Sequence, residues 1–177
     1  MDIKQPFNLF QWIEKNRHLL KPPVGNKNLY VDAGDYIVMI VAGPNARKDY
    51  HYNETEELFF QLEGEIIVKT QQNNKCVEIP IKAGEMFLLP AKIPHSPSRS
   101  ENSIGLVIER VRKGSDMKDG LMWFCDSCNH PLFESFFSLV DIEKDFLSVF
   151  KTFYNDKNLR TCKKCGTEMQ ADKRFTS

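Results

Sequence analysis

The sequence predicts a mainly β protein, a sandwich or barrel, with an N-terminal helix and a small cysteine-anchored unit at the C-terminal end. Residues 30–112 consist of short apolar or alternating runs separated by Gly, Pro and Asn. A mixed α+β domain is the alternative, but this region has no helical periodicity of useful length. Four of the five cysteines follow it, in two Cys-x2-Cys pairs. A chain of 177 residues fits one domain with an appendage.

The first predicted element is an amphipathic helix over residues 8–20. Asn8 suits the N-cap position, and Gln11 lies three residues later. Its apolar residues share one stripe: Leu9, Ile13 and Leu20. Lys21-Pro22-Pro23 ends the helix, because proline cannot continue it and constrains the residue before it.

Six strands are predicted in the central region, at residues 36–42, 58–62, 65–70, 77–81, 86–89 and 104–111. Turn-forming residues separate them, at Gly43-Pro44-Asn45, Gly64, Asn73-Asn74, Gly84 and Pro90. In the last strand Glu109 shares a face with Val107 and Val111, whereas Arg110 points the other way. A carboxylate on an apolar face needs a partner.

The pattern changes after residue 112, where Lys113-Gly114-Ser115-Asp116 is typical of a linker. A helical stripe follows, formed by Ile142, Phe146, Val149, Phe150 and Phe153. We therefore predict a barrel with its N-terminal helix at residues 1–112 and a metal-binding subdomain packed on it at residues 113–177.

Charge and hydropathy exclude several classes of function. Lys plus Arg and Asp plus Glu both number 24, and this zero balance counts against nucleic acid as a partner. The longest apolar run, seven residues at 36–42, is far below the ~20 that a membrane helix needs. The first residues have no apolar core of signal-peptide length. We expect a cytoplasmic protein in which the paired cysteines bind metal.

Three potential metal ligands lie in the β region: His51, Glu57 and His95. Two imidazoles and one carboxylate suit non-haem Fe(II) and leave coordination positions open for substrate and dioxygen. An extended chain would separate His51 from Glu57 by ~20 Å, so the chain must bend between them. Asn53 tolerates the left-handed conformation that such a bend can use.

The second candidate site is formed by the cysteines at Cys125, Cys128, Cys162 and Cys165. Four thiolates suit a tetrahedral zinc or rubredoxin-like iron site, and a redox dithiol or partial disulfides are the alternative. Asn129 and Gly166 follow the two pairs, and both residue types accept the positive φ expected there. A closed shell of four thiolates predicts a structural role.

Two segments resemble the motifs of the cupin family. The first is His51-Tyr52-Asn53, three residues, Glu57, six residues and Gly64, with Asn53 in place of the second histidine. The second is Gly84, five residues, Pro90 and then His95. Lys92 and Arg99 depart from the usual Gly and Asn of that motif, and Gly43 lies two residues further upstream than expected.

The flanking sequences closely resemble the 3-hydroxyanthranilate 3,4-dioxygenase family, in its short, single-cupin form. The resemblance runs from Pro22 to the second cysteine pair and rests on Arg47-Lys48-Asp49-Tyr50-His51, Phe60-Gln61-Leu62-Glu63-Gly64 and residues 88–97. It implies cleavage of a small aromatic substrate by dioxygen, giving 2-amino-3-carboxymuconate semialdehyde on a tryptophan-derived route to quinolinate and NAD. It also implies a homodimer.

The resemblance assigns roles to individual residues. It implies Fe(II) on His51, Glu57 and His95, chelated by the substrate's adjacent hydroxyl and amino groups. It places Arg99 on the substrate carboxylate, Arg47 beside the dioxygen site and Glu109 on the substrate. Arg47 and Glu57 are then expected to act in catalysis and to contact the substrate as well. A second metal, Fe or Zn, is expected on the four cysteines.

Two alternatives stay open from the sequence. One is a cupin enzyme of another class that uses the same three ligands, although Arg47, Arg99 and Glu109 count against it. The other is a non-enzymatic zinc-ribbon module, which would leave the His, Glu and His set unexplained.

Overall fold

A computed structural model describes residues 3, 5–21, 25–45, 47–112, 114, 116–139 and 142–176, without the side chains of residues 142 and 143. Several residues named in the predictions therefore lie outside the described part: Pro22, Pro23, Lys113, Ser115 and the side chain of Ile142. The helices are α1 (Leu9–Asn16), α2 (Ile142–Asn155) and α3 (Lys157–Arg160). None of the helices in the described ranges is long and apolar enough to cross a membrane.

Eleven strands form two antiparallel sheets within the described ranges. The five-stranded sheet has the order β1-β2-β9-β4-β7: β1 (Asn26–Asn28), β2 (Tyr36–Ala42), β9 (Ile104–Arg110), β4 (Glu57–Glu63) and β7 (Met86–Leu89). The six-stranded sheet has the order β11-β10-β3-β8-β5-β6: β11 (Pro131–Phe137), β10 (Asp119–Phe124), β3 (Tyr50–Asn53), β8 (His95–Arg99), β5 (Glu65–Gln72) and β6 (Lys75–Lys82). Side chains of both sheets form one core: Phe59, Ile66, Val68, Ile81, Leu89 and Val107. The predicted mainly β, cupin-type barrel is confirmed.

All six predicted strands are present, and those at residues 36–42 and 86–89 have the predicted bounds. Five further strands escaped prediction: β1, β3, β8, β10 and β11. Two of them, β3 and β8, are rich in buried polar residues, which hides the apolar alternation of a half-buried strand.

The N-terminal helix is shorter than predicted. The side chain of Asn8 accepts a hydrogen bond from the backbone N–H of Gln11 at 3.0 Å, so the predicted N-cap is confirmed. The α-helix ends at Asn16 and a 3-10 turn covers Arg17–Leu19. Ile13 and Leu20 are buried against the five-stranded sheet, so the apolar stripe has the packing role that its spacing predicts.

The segment beyond residue 112 joins the barrel directly. β10 pairs with β3 from Asp119 opposite Asn53 to Met122 opposite Tyr50, and β11 extends the same sheet. Helix α2 covers this edge, where Phe153 stacks on Trp123 with ring centroids 4.3 Å apart. The boundary between residues 112 and 113 thus falls between strands of the two sheets of one barrel, and the division into two units stays a prediction.

Candidate active site

The three predicted ligands meet inside the barrel. Their ligand atoms all lie within 4.8 Å of one another, and all three residues are buried. His51 and His95 are direct cross-strand partners on β3 and β8. Glu57 opens β4 after a bend at residues 54 and 55. Each histidine is thus placed by strand pairing, and the carboxylate is brought to them by the bend.

The bend itself differs from the expectation. Asn53 lies in β3 and is not among the residues with positive φ; its side chain instead accepts a hydrogen bond from the backbone N–H of Thr55 at 3.2 Å. This is an Asx turn, in which a side-chain oxygen takes the place of a backbone acceptor. The positive φ near the site belongs to Lys92, at +67°, the residue that replaces the usual Gly of the second motif.

The inner wall of the barrel carries apolar and polar side chains on the same strands. Glu57, Phe59 and Gln61 are the buried positions of β4. Across the pair, they face Glu109, Val107 and Gly105 of β9, respectively. The same inward face therefore supplies both the apolar core and the site.

Glu57 and His95 form an ion pair at 3.0 Å between Oε2 and Nε2. The Nδ1 atom of His95 lies 3.0 Å from the carbonyl oxygen of Ile93, which orients the ring so that Nε2 faces the cluster. Burial disfavours the charged form of both residues, but the attraction between their opposite charges outweighs this effect. The pKa of Glu57 is held below its ordinary value, mainly by His95, and the pKa of His95 is held above its own by Glu57.

Arg99 is a buried cation with few partners. The residue is 3% exposed, and Nη1 donates to Oε1 of Gln61 at 3.4 Å, whereas Nε has no hydrogen-bond partner among the described residues. Burial lowers the pKa of Arg99 to about 10, against the opposing effect of Glu57. A buried guanidinium without a carboxylate partner is costly in isolation, so this position is suited to an anionic group from outside the chain.

Glu109 is buried beside the cluster, on the face that the strand alternation predicts, and Arg110 is exposed. Its Oε2 accepts a hydrogen bond from Nη1 of Arg112 at 2.8 Å. Burial first, and then the neighbouring charge of Glu57, raise the pKa of Glu109. A raised pKa makes this carboxyl group a better proton acceptor than an ordinary glutamate.

Arg47 is held by Asp49, with Nε 3.1 Å from Oδ2 and a second, shorter contact from Nη2. Together with Tyr50 and Cys125, it lines a cavity of about 820 Å³ between the barrel and the first Cys-x2-Cys pair. Its charge also reaches the site, where it contributes to the lowered pKa of Arg99. Asp49 therefore holds this guanidinium, whose charge also acts on Glu57 and His95, and its place beside the dioxygen site stays a prediction.

Two buried charges at the site were not predicted from the sequence. Asp119 at the start of β10 lies 2.8 Å from Nε2 of His51, and Arg112 after β9 donates to both oxygens of Asp119. No local pattern marks them, because the contacts depend on how β10 pairs with β3. The only available signals were that Arg112 directly follows the predicted strand 104–111 and that Asp119 lies two residues before the apolar run 121–124.

The four paired cysteines form the second predicted cluster. Their sulfur atoms lie within 4.8 Å of one another, and the sulfurs of Cys125 and Cys165 are 3.5 Å apart, far beyond a disulfide bond. The two turns are alike: the backbone N–H of Asn129 donates to Cys125, and that of Gly166 to Cys162, each at 2.9 Å. Asn129 and Gly166 have positive φ as predicted. Four converging sulfurs fit a tetrahedral metal and disfavour the disulfide alternative.

The fold and the buried His-Glu-His set place the chain in the class of cupin-type proteins with a candidate metal centre. Residues 1–154 match the family model described as 3-hydroxyanthranilic acid dioxygenase. A 3-hydroxyanthranilate 3,4-dioxygenase of Xanthomonas oryzae pv. oryzae is 55% identical over 172 residues, covering 97% of this chain and 96% of that protein. One from Bacillus thuringiensis is 44% identical, covering 92% and 90%. The chain belongs to the 3-hydroxyanthranilic acid dioxygenase family, so both alternatives left open by the sequence are set aside.

Solved structures with partial similarity include a cupin-2 domain protein from Shewanella frigidimarina, 20% identical with a TM-score of 0.47, which covers 56% of this chain and 92% of that one. Hydroquinone 1,2-dioxygenase from Sphingomonas sp. TTNP3 is 25% identical with a TM-score of 0.37, covering 44% and 24%.

Proposed function

We propose that this protein is a 3-hydroxyanthranilate 3,4-dioxygenase that depends on Fe(II) held by His51, Glu57 and His95. The product is 2-amino-3-carboxymuconate semialdehyde. The observation that carries the proposal is the juxtaposition of this ligand set with Arg99, a buried guanidinium whose Nε has no partner in the described chain. The substrate has a carboxylate on the same ring as the two groups that are suited to chelate a metal.

The ligand set fits ferrous iron. Two imidazoles and one carboxylate are the protein ligands of many non-haem Fe(II) oxygenases, and three ligands leave positions for substrate and dioxygen. Bound Fe(II) would bring the two reactants to one centre and supply the redox chemistry that dioxygen requires.

The protein groups around the cluster bind and orient the substrate. Arg99 pairs with the substrate carboxylate, because its planar fork suits two parallel hydrogen bonds. Glu109 receives a proton from the substrate's hydroxyl or amino group at Oε1, since Arg112 already engages Oε2. Arg47, held by Asp49 and coupled to the charge of Glu57, supplies positive charge beside the dioxygen site and acts in catalysis there.

The cysteine cluster takes a structural role in this proposal. Four sulfurs complete a tetrahedral shell for Fe or Zn and leave no position for substrate. A dioxygenase returns both oxygen atoms to one product and needs no external electrons, so no electron transfer from this cluster is required.

We also expect a cytoplasmic homodimer whose product cyclises to quinolinate, a precursor of NAD. The outer face of the five-stranded sheet supports the dimer. Tyr36, Met86 and Leu88 are 55%, 63% and 52% exposed on this one face, and clustered exposed apolar side chains are typical of an interaction surface. We expect a second copy of this chain to pack against this face.

Turnover of the metal-loaded protein tests the proposal. Fe(II) is added without air, followed by 3-hydroxyanthranilate and then air, and a transient semialdehyde chromophore is expected. The matched control is the same protein loaded with Zn(II), which has no redox chemistry and is expected to give no product. Stoichiometric binding of Fe(II) without ring opening would contradict the proposal.

A further inference from the structure

A continuous chain of buried charges runs along one side of the site. Arg112 donates from Nε and Nη2 to the two oxygens of Asp119, at 2.9 and 2.8 Å. Oδ1 of Asp119 also lies 2.8 Å from Nε2 of His51. In the other direction, Nη1 of Arg112 donates to Oε2 of Glu109 at 2.8 Å. One guanidinium therefore connects a metal ligand, through Asp119, to the carboxyl group that faces the substrate.

This series of hydrogen-bonded charges is fully enclosed by protein. The side chains of Arg112 and Asp119 are both 0% exposed, and that of Glu109 is 5% exposed. Buried ion pairs seldom stabilise a fold more than apolar residues of the same size would. Stability alone is therefore a weak reason for this arrangement, and its position between the two halves of the site points to a functional one.

The hydrogen bond to Asp119 fixes the chemistry of His51. A carboxylate only accepts hydrogen bonds, so Nε2 of His51 must carry the hydrogen in this contact. Nδ1 is then left as the ring nitrogen that can ligate a metal. A carboxylate behind a metal-bound histidine fixes both its tautomer and its ring orientation.

We propose that Asp119 and Arg112 are positioning residues. Asp119 fixes the orientation of His51 for metal binding, and Arg112 holds the carboxylates of Asp119 and Glu109 in fixed positions relative to each other. This inference rests on the proposed function. One residue, Arg112, then controls metal affinity and substrate affinity together. The competing explanation is a clamp that only joins the end of β9 to the start of β10.

Three variants separate these explanations. Asp119→Asn keeps the size of the side chain and removes its charge, Glu109→Gln does the same at the other end, and Arg112→Lys removes the planar fork. Asp116→Asn and Arg110→Lys are the matched controls, because both residues are exposed and lie on the same segments.

With the cysteine site filled beforehand with Zn(II), metal affinity of the three-ligand centre is measured by chelator competition with Fe(II), and metal geometry by the visible absorption after Co(II) is added. Asp119→Asn is expected to weaken metal binding about 10- to 100-fold and to shift the Co(II) spectrum, as loss of a carboxylate behind a ligand histidine does. Glu109→Gln is expected to leave metal affinity near that of the wild type. Arg112→Lys is expected to change both quantities, whereas the controls change neither.

Substrate affinity is measured without air, by titrating 3-hydroxyanthranilate into protein saturated with Fe(II). Glu109→Gln and Arg112→Lys are expected to weaken substrate binding, and Asp119→Asn is expected to leave it largely unchanged once metal is saturating. The unfolding midpoint of each variant is recorded alongside.

The proposal is overturned if Asp119→Asn and Arg112→Lys lower the unfolding midpoint but leave metal affinity and the Co(II) spectrum as in the wild type. Either variant alone decides the question if the other does not fold. Because the Co(II) measurements need no turnover, they stay informative even if the wild-type protein loaded with Fe(II) opens no ring, which would contradict the proposed function instead.

Discussion

The two candidate metal centres differ in how the chain holds their ligands. His51, Glu57 and His95 come from three strands and are all buried within the barrel. The four cysteines come from two tight turns outside it, and Cys165 is exposed. The first set offers three ligands with room for more, and the second offers four and closes the shell. This difference separates a centre suited to chemistry from one suited to stabilising a fold.

Their surroundings differ as well. Buried charges lie next to the three-ligand cluster, at Arg99, Glu109, Arg112 and Asp119. At the cysteine turns the sulfurs contact neutral groups, such as the backbone N–H of His130 at Cys128 and the Thr167 hydroxyl 3.3 Å from the sulfur of Cys165. The charged pair nearby, Lys48 and Asp126, is exposed. Buried charges are retained where they bind or orient something, whereas neutral donors suffice to hold thiolates in place.

The largest effect is expected from removing a ligand of the buried centre. His51→Ala, Glu57→Ala and His95→Ala are each expected to abolish iron-dependent turnover, because three protein ligands leave none to spare. The fold should survive, since the apolar core does not include these side chains. Iron content and product formation are measured together, with the exposed His18→Ala as the control. Full activity in any of the three variants would remove that residue from the ligand set.

The next largest effect is expected at the buried cation. Arg99→Ala would leave the substrate carboxylate unpaired in a dry pocket, at a cost of ~2–5 kcal/mol, or roughly 30- to several-thousand-fold in kcat/KM. Arg99→Lys is expected to recover only part of this loss, because an ammonium cannot reproduce the planar fork.

Steady-state kinetics of the Arg99 variants provide the measurement, and 2-aminophenol, which lacks the carboxylate, is the control substrate. Metal binding without substrate should be similar in wild type and Arg99→Ala. Wild-type kinetics in Arg99→Ala would place the carboxylate on another cation, such as Arg47.

A smaller effect on substrate binding by Arg99 is expected from a substitution at Gly105, which lies against its guanidinium. A Cβ added there would lie 2.9 Å from Nη1 of Arg99 and 2.8 Å from Oε1 of Gln61, so the guanidinium must move. Overpacking of this kind costs about 1–3 kcal/mol, and we expect Gly105→Ala to raise KM more than it lowers kcat. Gly34→Ala is the matched control, because nothing lies within 4 Å of its Cβ. An unchanged KM in Gly105→Ala would show that Arg99 keeps its function when displaced.

The sequence predicts the two ligand sets better than it predicts their supports. His51, Glu57 and His95 fall within motifs of fixed spacing, and the cysteines within pairs, so short stretches of chain identify them. Asp119 reaches His51 only because β10 pairs with β3, and such a register joins residues far apart in the chain. Strands β3 and β8 escaped prediction for a related reason, since their buried side chains are polar. Local pattern therefore locates the candidate ligands, and long-range pairing brings the buried charges that contact them.

The smallest effect on turnover is expected from removing ligands of the cysteine centre. The same change is expected to lower the stability of the protein. Changing Cys125 and Cys162 to Ser should release the metal of this site and loosen the C-terminal segment, because the thiolates close a 33-residue loop between the two pairs. β10 connects the two centres, since Asp119 at its start bonds to His51 and Cys125 follows its end.

Four paired positions with β3 and the bonds from Arg112 hold the Asp119 end of that strand independently of the cysteines. We therefore expect a lower melting temperature and faster proteolysis after about residue 113, with turnover per bound active-site iron little changed at moderate temperature. Metal analysis, thermal unfolding and single-turnover product yield provide the measurements, with Cys76→Ser, a lone cysteine outside the cluster, as the control. A double variant that stays folded and keeps its active-site iron, yet cannot open the ring, would mean that the cysteine centre takes part in catalysis.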